Sequence, residues 1–181
     1  ELVTLSVDDW LQKCSNWKNK YPVALPEYKE NKVGVNSFYF VDLLSRKLDN
    51  KAVVVTDMGT SFTCTMQTFK TKQGQRLFTS SGHASMGFGL PGAIGACFAN
   101  DKKKTICISG EGALQMNIQE LQTLVHYKLP VILFVLNNKG YLTIKLMQQN
   151  HFGRYIGSDP DSGYSCPDII KVATAYGIKA E

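Results

Sequence analysis

The sequence lacks any uninterrupted apolar run near the eighteen or so residues that a bilayer-crossing helix takes, so no membrane-spanning segment is expected. Its opening, "ELVTLSVDDWLQKCSNWKNK", lacks the basic, apolar and small-residue order of a secretory leader. Cysteine is sparse: Cys14, Cys64, Cys97, Cys107 and Cys166 lie far apart with no C-x-x-C pair. That excludes a disulfide framework and fits reduced thiols in a cytoplasmic protein. The three histidines, His83, His126 and His151, do not stand at ligand spacing from a cysteine pair, which sets structural zinc aside. No G-x-G-x-x-G follows the first apolar run, so a nicotinamide-binding domain ranks low. Basic clustering is scarce too. The formal net charge is +5, but only Lys102, Lys103 and Lys104 form a run, and they follow Asp101 where a solvated turn accounts for them. With no basic patch interleaved with aromatics, no nucleic acid partner is expected.

What is present is a chain of 181 residues, 44% hydrophobic, enough for one compact domain with a substantial core. "SVDDWLQKCSNWKNKYP" reads as a short helix with Ser6 as N-cap and Asp9 in the capping-box position, ended by Pro22. Residues 1–34 are expected to form a linker with that helix, and 35–181 the domain proper. "NSFYFVDLLSRKLDN" carries Phe38, Val41, Leu44 and Leu48 at helical spacing and leads into the β-branched "AVVVTD", a buried strand. Further strands are expected at "RLFTSS", "KTICISG" and "VILFVLNN". Helices are expected at the small-residue "GFGLPGAIGACFAN", at "NIQELQTLVHYKL", and from Pro167 at the first helical position to Tyr176, with Gly177 closing it. The polar stretch 147–165 reads as a mobile loop, and the final "IKAE" as the approach to one more strand. Strands apolar on both faces, alternating with helices, predict an α/β fold: a three-layer, doubly wound, mostly parallel sheet with helices on both faces.

In such sheets ligands collect beyond the carboxyl ends of the strands. Three loops fall at that edge: "TDMGTS", "SGEGA" and "NNKGY". Gly110 and Gly112 allow backbone N–H groups to approach an anion, and the helix that follows points its positive end there. Glu111 in the same loop repels that anion unless a cation lies between. Magnesium resolves the conflict, taking Glu111, the Asn138 side-chain oxygen and a nearby carbonyl, with positions left for phosphate oxygens. A lone G-x-G or a lone "NN" more often marks an ordinary turn; the two together, in strand-loop-helix-strand order, favour a magnesium-diphosphate site.

At this point the sequence resembles the diphosphate-binding domain of thiamine diphosphate enzymes of the acetolactate synthase and pyruvate decarboxylase type. Their signature is a G-D-G triplet followed by a double asparagine, and here Glu111 and Asn138 lie 27 positions apart as that pattern requires. "TDMGTSF", "SSGHASMGFGLPGAIGA", "GEGALQMNIQEL" and "LPVILFVLNNKGY" match the family's blocks in order.

The resemblance implies roles position by position. Glu111, Asn138 and the Gly140 carbonyl would bind magnesium. Gly112 and Ala113 would hold the diphosphate through backbone N–H groups, aided by Gly59, Thr60 and Ser61. The Ala84 carbonyl would accept from the aminopyrimidine, and Met86 would be the wedge that bends the cofactor, its catalytic contribution. The bland reading of Met86 is a core methionine; His83 reads as a solvated loop residue. By resemblance the activity is decarboxylation of a pyruvate-like 2-oxo acid, with ligation or release of the acyl carbanion. The activating glutamate would come from a pyrimidine-binding domain across a dimer interface, so that this chain alone holds half a site and is inactive. A flavin would belong to the central domain of such a protein, and nothing in this chain indicates one. Two positions depart from the pattern. Glu111 stands where the family has aspartate, and Met147 where acetolactate synthases have tryptophan. The first keeps open a catalytically degenerate binding or regulatory domain; the second leaves the acceptor substrate open.

Overall fold

A computed structural model describes residues 6–181. The first helix, α1 (Asp8–Lys20), buries none of its residues. Ser6 does not cap it: the Ser6 hydroxyl donates to the Asp8 carboxylate at 2.9 Å, and Val7, which has no side-chain acceptor, is the N-cap, so there is no capping box with Asp9. By contrast α2 (Ser37–Lys47) starts on a well-made cap, because the Asn36 side chain accepts from the N–H groups of Phe38 and Tyr39 at 2.9 and 3.2 Å.

The core is a parallel sheet of β1 (Val53–Thr56), β2 (Arg76–Phe78), β3 (Thr105–Gly110) and β4 (Val131–Leu136), in the order β2-β1-β3-β4. Side chains alternate across it. Val54, Ile106 and Ile108 face Leu44 and Leu48 at the end of α2, whereas Val55 and Cys107 face Ala93 of α4 (Gly89–Ala99). On that second face Leu90 and Ile94 of α4 meet Leu114 of α5 (Glu111–Gln115), Leu121 and Leu124 of α6 (Leu121–Tyr127), and Ile169 and Val172 of α8 (Ile169–Ala175). The result is the three-layer α/β arrangement expected from the alternation of strands and helices.

A helix not expected from the sequence, α3 (Thr60–Thr68), follows β1 and packs against α2. Its buried residues are Ser61, Cys64, Thr65 and Thr68, a small and mostly polar face that carries no apolar periodicity to read. The stretch 147–165 is also more regular than a mobile loop. Met147 to Phe152 complete α7 (Leu142–Phe152), and Asp159 caps a 3₁₀ turn over Pro160–Ser162. At α8 the cap is Asp168, whose carboxylate accepts from Ile170 and Lys171 at 3.0 and 3.2 Å, so Pro167 precedes the helix. A carboxylate that satisfies two orphan N–H groups fixes the helix start better than a proline can. Residues 178–181 form no strand. Among the described residues no helix is long and apolar enough to cross a membrane.

Chain order reverses between β1 and β3: β1 leads to α3 on one face and β3 to α5 and α6 on the other. The carboxyl ends of these adjacent strands therefore border a crevice. Gly110 pairs with Leu136, which places the loop after β3 beside the loop after β4.

Candidate functional site

A cavity of about 260 Å³ opens at that edge. From the loop after β1 it is lined by Gly59 and Thr60, from the turn before α4 by Ala84 and Met86, from the start of α5 by Glu111, Gly112 and Ala113, and beyond β4 by Asn138 and Gly140. Nine of the ten residues singled out in the sequence thus share one cavity. Ser61 does not line it, because its buried hydroxyl turns back to donate to the Met58 carbonyl at 3.0 Å. A larger depression of about 1130 Å³ runs along β4 and the segment 164–181, lined mostly by aliphatic side chains and by none of those nine residues. It is the larger of the two, but its lining is mostly apolar, whereas the smaller cavity gathers the acidic glycine turn, the second asparagine and the turn before α4 at one edge of the sheet.

Glu111 is 1% exposed. Such burial of a carboxyl group is costly unless donors surround it. Its Oε1 accepts from the Gly140 N–H at 2.7 Å, and Oε2 accepts more weakly from the Asn138 N–H at 3.4 Å. The end of the Asn138 side-chain amide lies 2.5 Å from the Gly140 carbonyl oxygen and 3.2 Å from Glu111 Oε1, and the surrounding acceptors assign that end as the NH2, donating to both. With a cation among these groups the amide would turn its oxygen inward, giving a carboxylate, an amide oxygen and a backbone carbonyl, the hard oxygen donors that magnesium takes. The donor set therefore fits magnesium. Among the described residues no three His, Cys, Asp or Glu side chains group together, so a cation held here would draw its other ligands from elsewhere, as magnesium does from phosphates.

The other walls suit a diphosphate. Gly112 must lack a side chain, because a Cβ there would lie 2.3 Å from the Tyr141 ring, which covers the start of α5. Tyr141 packs edge-on against Tyr164, with 4.7 Å between ring centres. Burial pushes the Tyr164 phenol above its ordinary range. The backbone N–H of Tyr141 donates to the Ser158 carbonyl at 2.9 Å, which ties the loop after β4 to the segment 155–163. Tyr141, Leu142, Thr143 and Ile144 all line the cavity and were not foreseen. Their only sequence signal is adjacency to the double asparagine.

Residues 57–181 match the family described as thiamine pyrophosphate enzyme, C-terminal TPP binding domain. The chain belongs to this family. The same TPP-binding domain is found in acetolactate synthase large subunits. The chain is 35% identical over 173 residues to that of Cyanidium caldarium, covering 94% of this chain and 28% of the relative. It is 36% identical over 172 residues to that of Pyropia yezoensis, with the same coverage. Against the acetolactate synthase isozyme 3 large subunit of Escherichia coli (strain K12) the identity is 31% over 172 residues, covering 94% of this chain and 29% of the relative. The chain thus spans a little over a quarter of the length of these relatives.

Proposed function

We propose that the cavity binds thiamine diphosphate together with one magnesium ion, and that the full-length protein uses it to decarboxylate a 2-oxo acid of the pyruvate type, ligating or releasing the acyl fragment. The observation that carries this reading is the meeting of the Glu111 carboxylate, the Asn138 side-chain amide and the Gly140 backbone in one cavity beyond the ends of β3 and β4. In it these three groups hold the metal. The N–H groups of Gly112 and Ala113, at the positive end of α5, and those at the start of α3 beside Gly59 and Thr60, donate to the diphosphate. The Ala84 carbonyl accepts from the aminopyrimidine, Met86 sets the angle between the two rings, and Tyr141 shuts water out over Gly112. When bound, the cofactor supplies a carbon nucleophile for the substrate carbonyl and a sink for the electron pair left when carbon dioxide departs.

Residues 1–34 act as a connector, and a pyrimidine-binding domain, contributed across a homodimer interface in the cytoplasm, completes the site. The apolar face of α7 supports a covering partner, since Leu146 and Met147 are 53% and 56% exposed.

A second reading, a catalytically degenerate binding or regulatory domain, is favoured by one feature: the longer Glu111 side chain already satisfies both oxygens on the backbone of the β4 loop. Assay of the full-length protein for carbon dioxide release from pyruvate decides between them. Turnover that requires magnesium and disappears in Glu111→Ala supports the enzyme. Cofactor binding with no turnover supports the degenerate domain.

A further inference from the structure

We infer that Asp57 and Asn117 are positioning residues that grip Gly87 from two sides and thereby fix where Met86 and the Ala84 carbonyl stand in the cavity. The inference rests on the proposed cofactor reading and adds to it two residues to which the sequence assigns no site role.

Asp57 directly follows β1 and is fully buried. Its Oδ1 accepts from the N–H groups of Met58 at 2.8 Å and Gly87 at 3.0 Å; its Oδ2 accepts from the Gly89 N–H at 2.8 Å and the Ser109 hydroxyl at 3.1 Å. Two of the four donors come from one turn, 30 and 32 residues downstream. On the far side of that turn the Asn117 amide donates to the Gly87 carbonyl at 2.8 Å. Both polar groups of Gly87 are therefore held, its N–H from β1 and its C=O from the segment after α5. Gly87 itself has φ +85°, and a Cβ there would come within 2.9 Å of both Asn117 Nδ2 and Met116 Cβ. The residue is pinned with no room to shift. Met86 is its immediate neighbour, and Ala84, also at positive φ (+52°), precedes Met86 by two residues.

The Asn117 side chain leaves the metal and diphosphate contacts alone, since it makes no hydrogen bond to Glu111, Gly112, Asn138 or Gly140. Asp57 reaches both halves, because it also holds the Met58 N–H next to Gly59 and Thr60. For Asn117 a positioning role thus predicts a split between the two halves of the cofactor, whereas a role in stability alone weakens both halves together.

The test is calorimetric titration of the full-length protein, in magnesium, with two probes: thiamine diphosphate and inorganic diphosphate. Asn117→Ala and Asp57→Asn are expected to weaken thiamine diphosphate about tenfold or more, the effect of losing one hydrogen bond to a charged or buried partner. In Asn117→Ala inorganic diphosphate is expected to stay within about twofold of wild type, the spread found for uncoupled sites. Equal losses for both probes in Asn117→Ala, or unchanged thiamine diphosphate affinity there, overturn the clamp. If Asp57→Asn fails to fold, Asn117→Ala decides alone, because Asn117 is only half-buried. A wild-type protein that binds neither probe overturns the cofactor reading itself. One that binds both, with variants at parity, overturns only the clamp.

Discussion

On the β1 and β3 side of the cavity, Asp57 and Glu111 are 0% and 1% exposed and every carboxylate oxygen has a backbone or hydroxyl donor; on the β4 side, Asn138 is exposed and α7 shows Leu142, Ile144, Leu146 and Met147 to solvent. The first wall is an extension of the core. The second is held by surface bonds. Gln148 accepts from Ile156 N–H at 3.1 Å and from the Ser158 hydroxyl at 2.8 Å and donates to the Ile156 carbonyl at 2.9 Å, while Lys145 pairs with Asp159 at 2.6 Å. The difference teaches where binding and stability are coupled: changes to the buried wall should move both, and changes to the open wall should move binding or local order with little cost to the fold.

The largest effect expected is on the buried carboxylate at the metal position. Glu111→Ala should weaken magnesium-dependent thiamine diphosphate binding by at least about 100-fold, the upper end of what loss of a metal-ligand partner costs. Equilibrium dialysis in magnesium and in chelator checks it, and Glu111→Asp should retain magnesium dependence. Next comes Gly112→Ala, which drives a methyl group into the Tyr141 ring. Overpacking of this kind costs about 1–3 kcal/mol, readable as a lower urea midpoint at unchanged slope. On the open wall, Gln148→Ala removes three bonds, two of them exposed and one accepted from the buried Ser158 hydroxyl. It should cost no more than about 1 kcal/mol of global stability while limited proteolysis within 155–163 quickens several-fold. A loss of stability as large as that for Gly112→Ala would erase the contrast between the walls.

The smallest effect concerns pH. The hydrogen bond from Lys145 holds the Asp159 carboxyl below its ordinary value of 3.8, and the same bond holds the Lys145 ammonium above its ordinary value of 10.5. The carboxyl contribution is present above 3.8 and fades as acid carries the pH through the lowered value; the ammonium contribution is present below 10.5 and fades as base carries it through the raised one. Between those limits the segment 155–163 should be flat in pH. Amide chemical shifts of Gly157 and Ser158 that move near neutrality would contradict the pairing.

The sheet was legible because "AVVVTD", "KTICISG" and "VILFVLNN" are apolar on both faces, and the loops at its edge because Glu111 and Asn138 keep a family spacing. The helix α3 was not, since its buried face is Ser61, Cys64, Thr65 and Thr68, residues that a hydrophobicity pattern passes over. Nor was Asp57. Asp57 reads as the end of the strand "AVVVTD", and its role emerges only when residues 87, 89 and 109 are brought around it by the crossover through β2 and α4. Ser6 and Pro167 misled for a local reason: a cap is decided by which acceptor reaches the first free N–H groups; at α8 the Asp168 carboxylate does, whereas at α1 the Ser6 hydroxyl turns to Asp8 and no side chain caps the helix.

Anomalous scattering from manganese, soaked into crystals of the full-length protein with thiamine diphosphate, tests the central claim most directly. The account predicts one peak within about 2.2 Å of a Glu111 carboxylate oxygen, Asn138 Oδ1 and the Gly140 carbonyl oxygen, slightly beyond magnesium's own bond length. A peak elsewhere, or an Asn138 amide turned to donate to Gly140 while cofactor is bound, would contradict it.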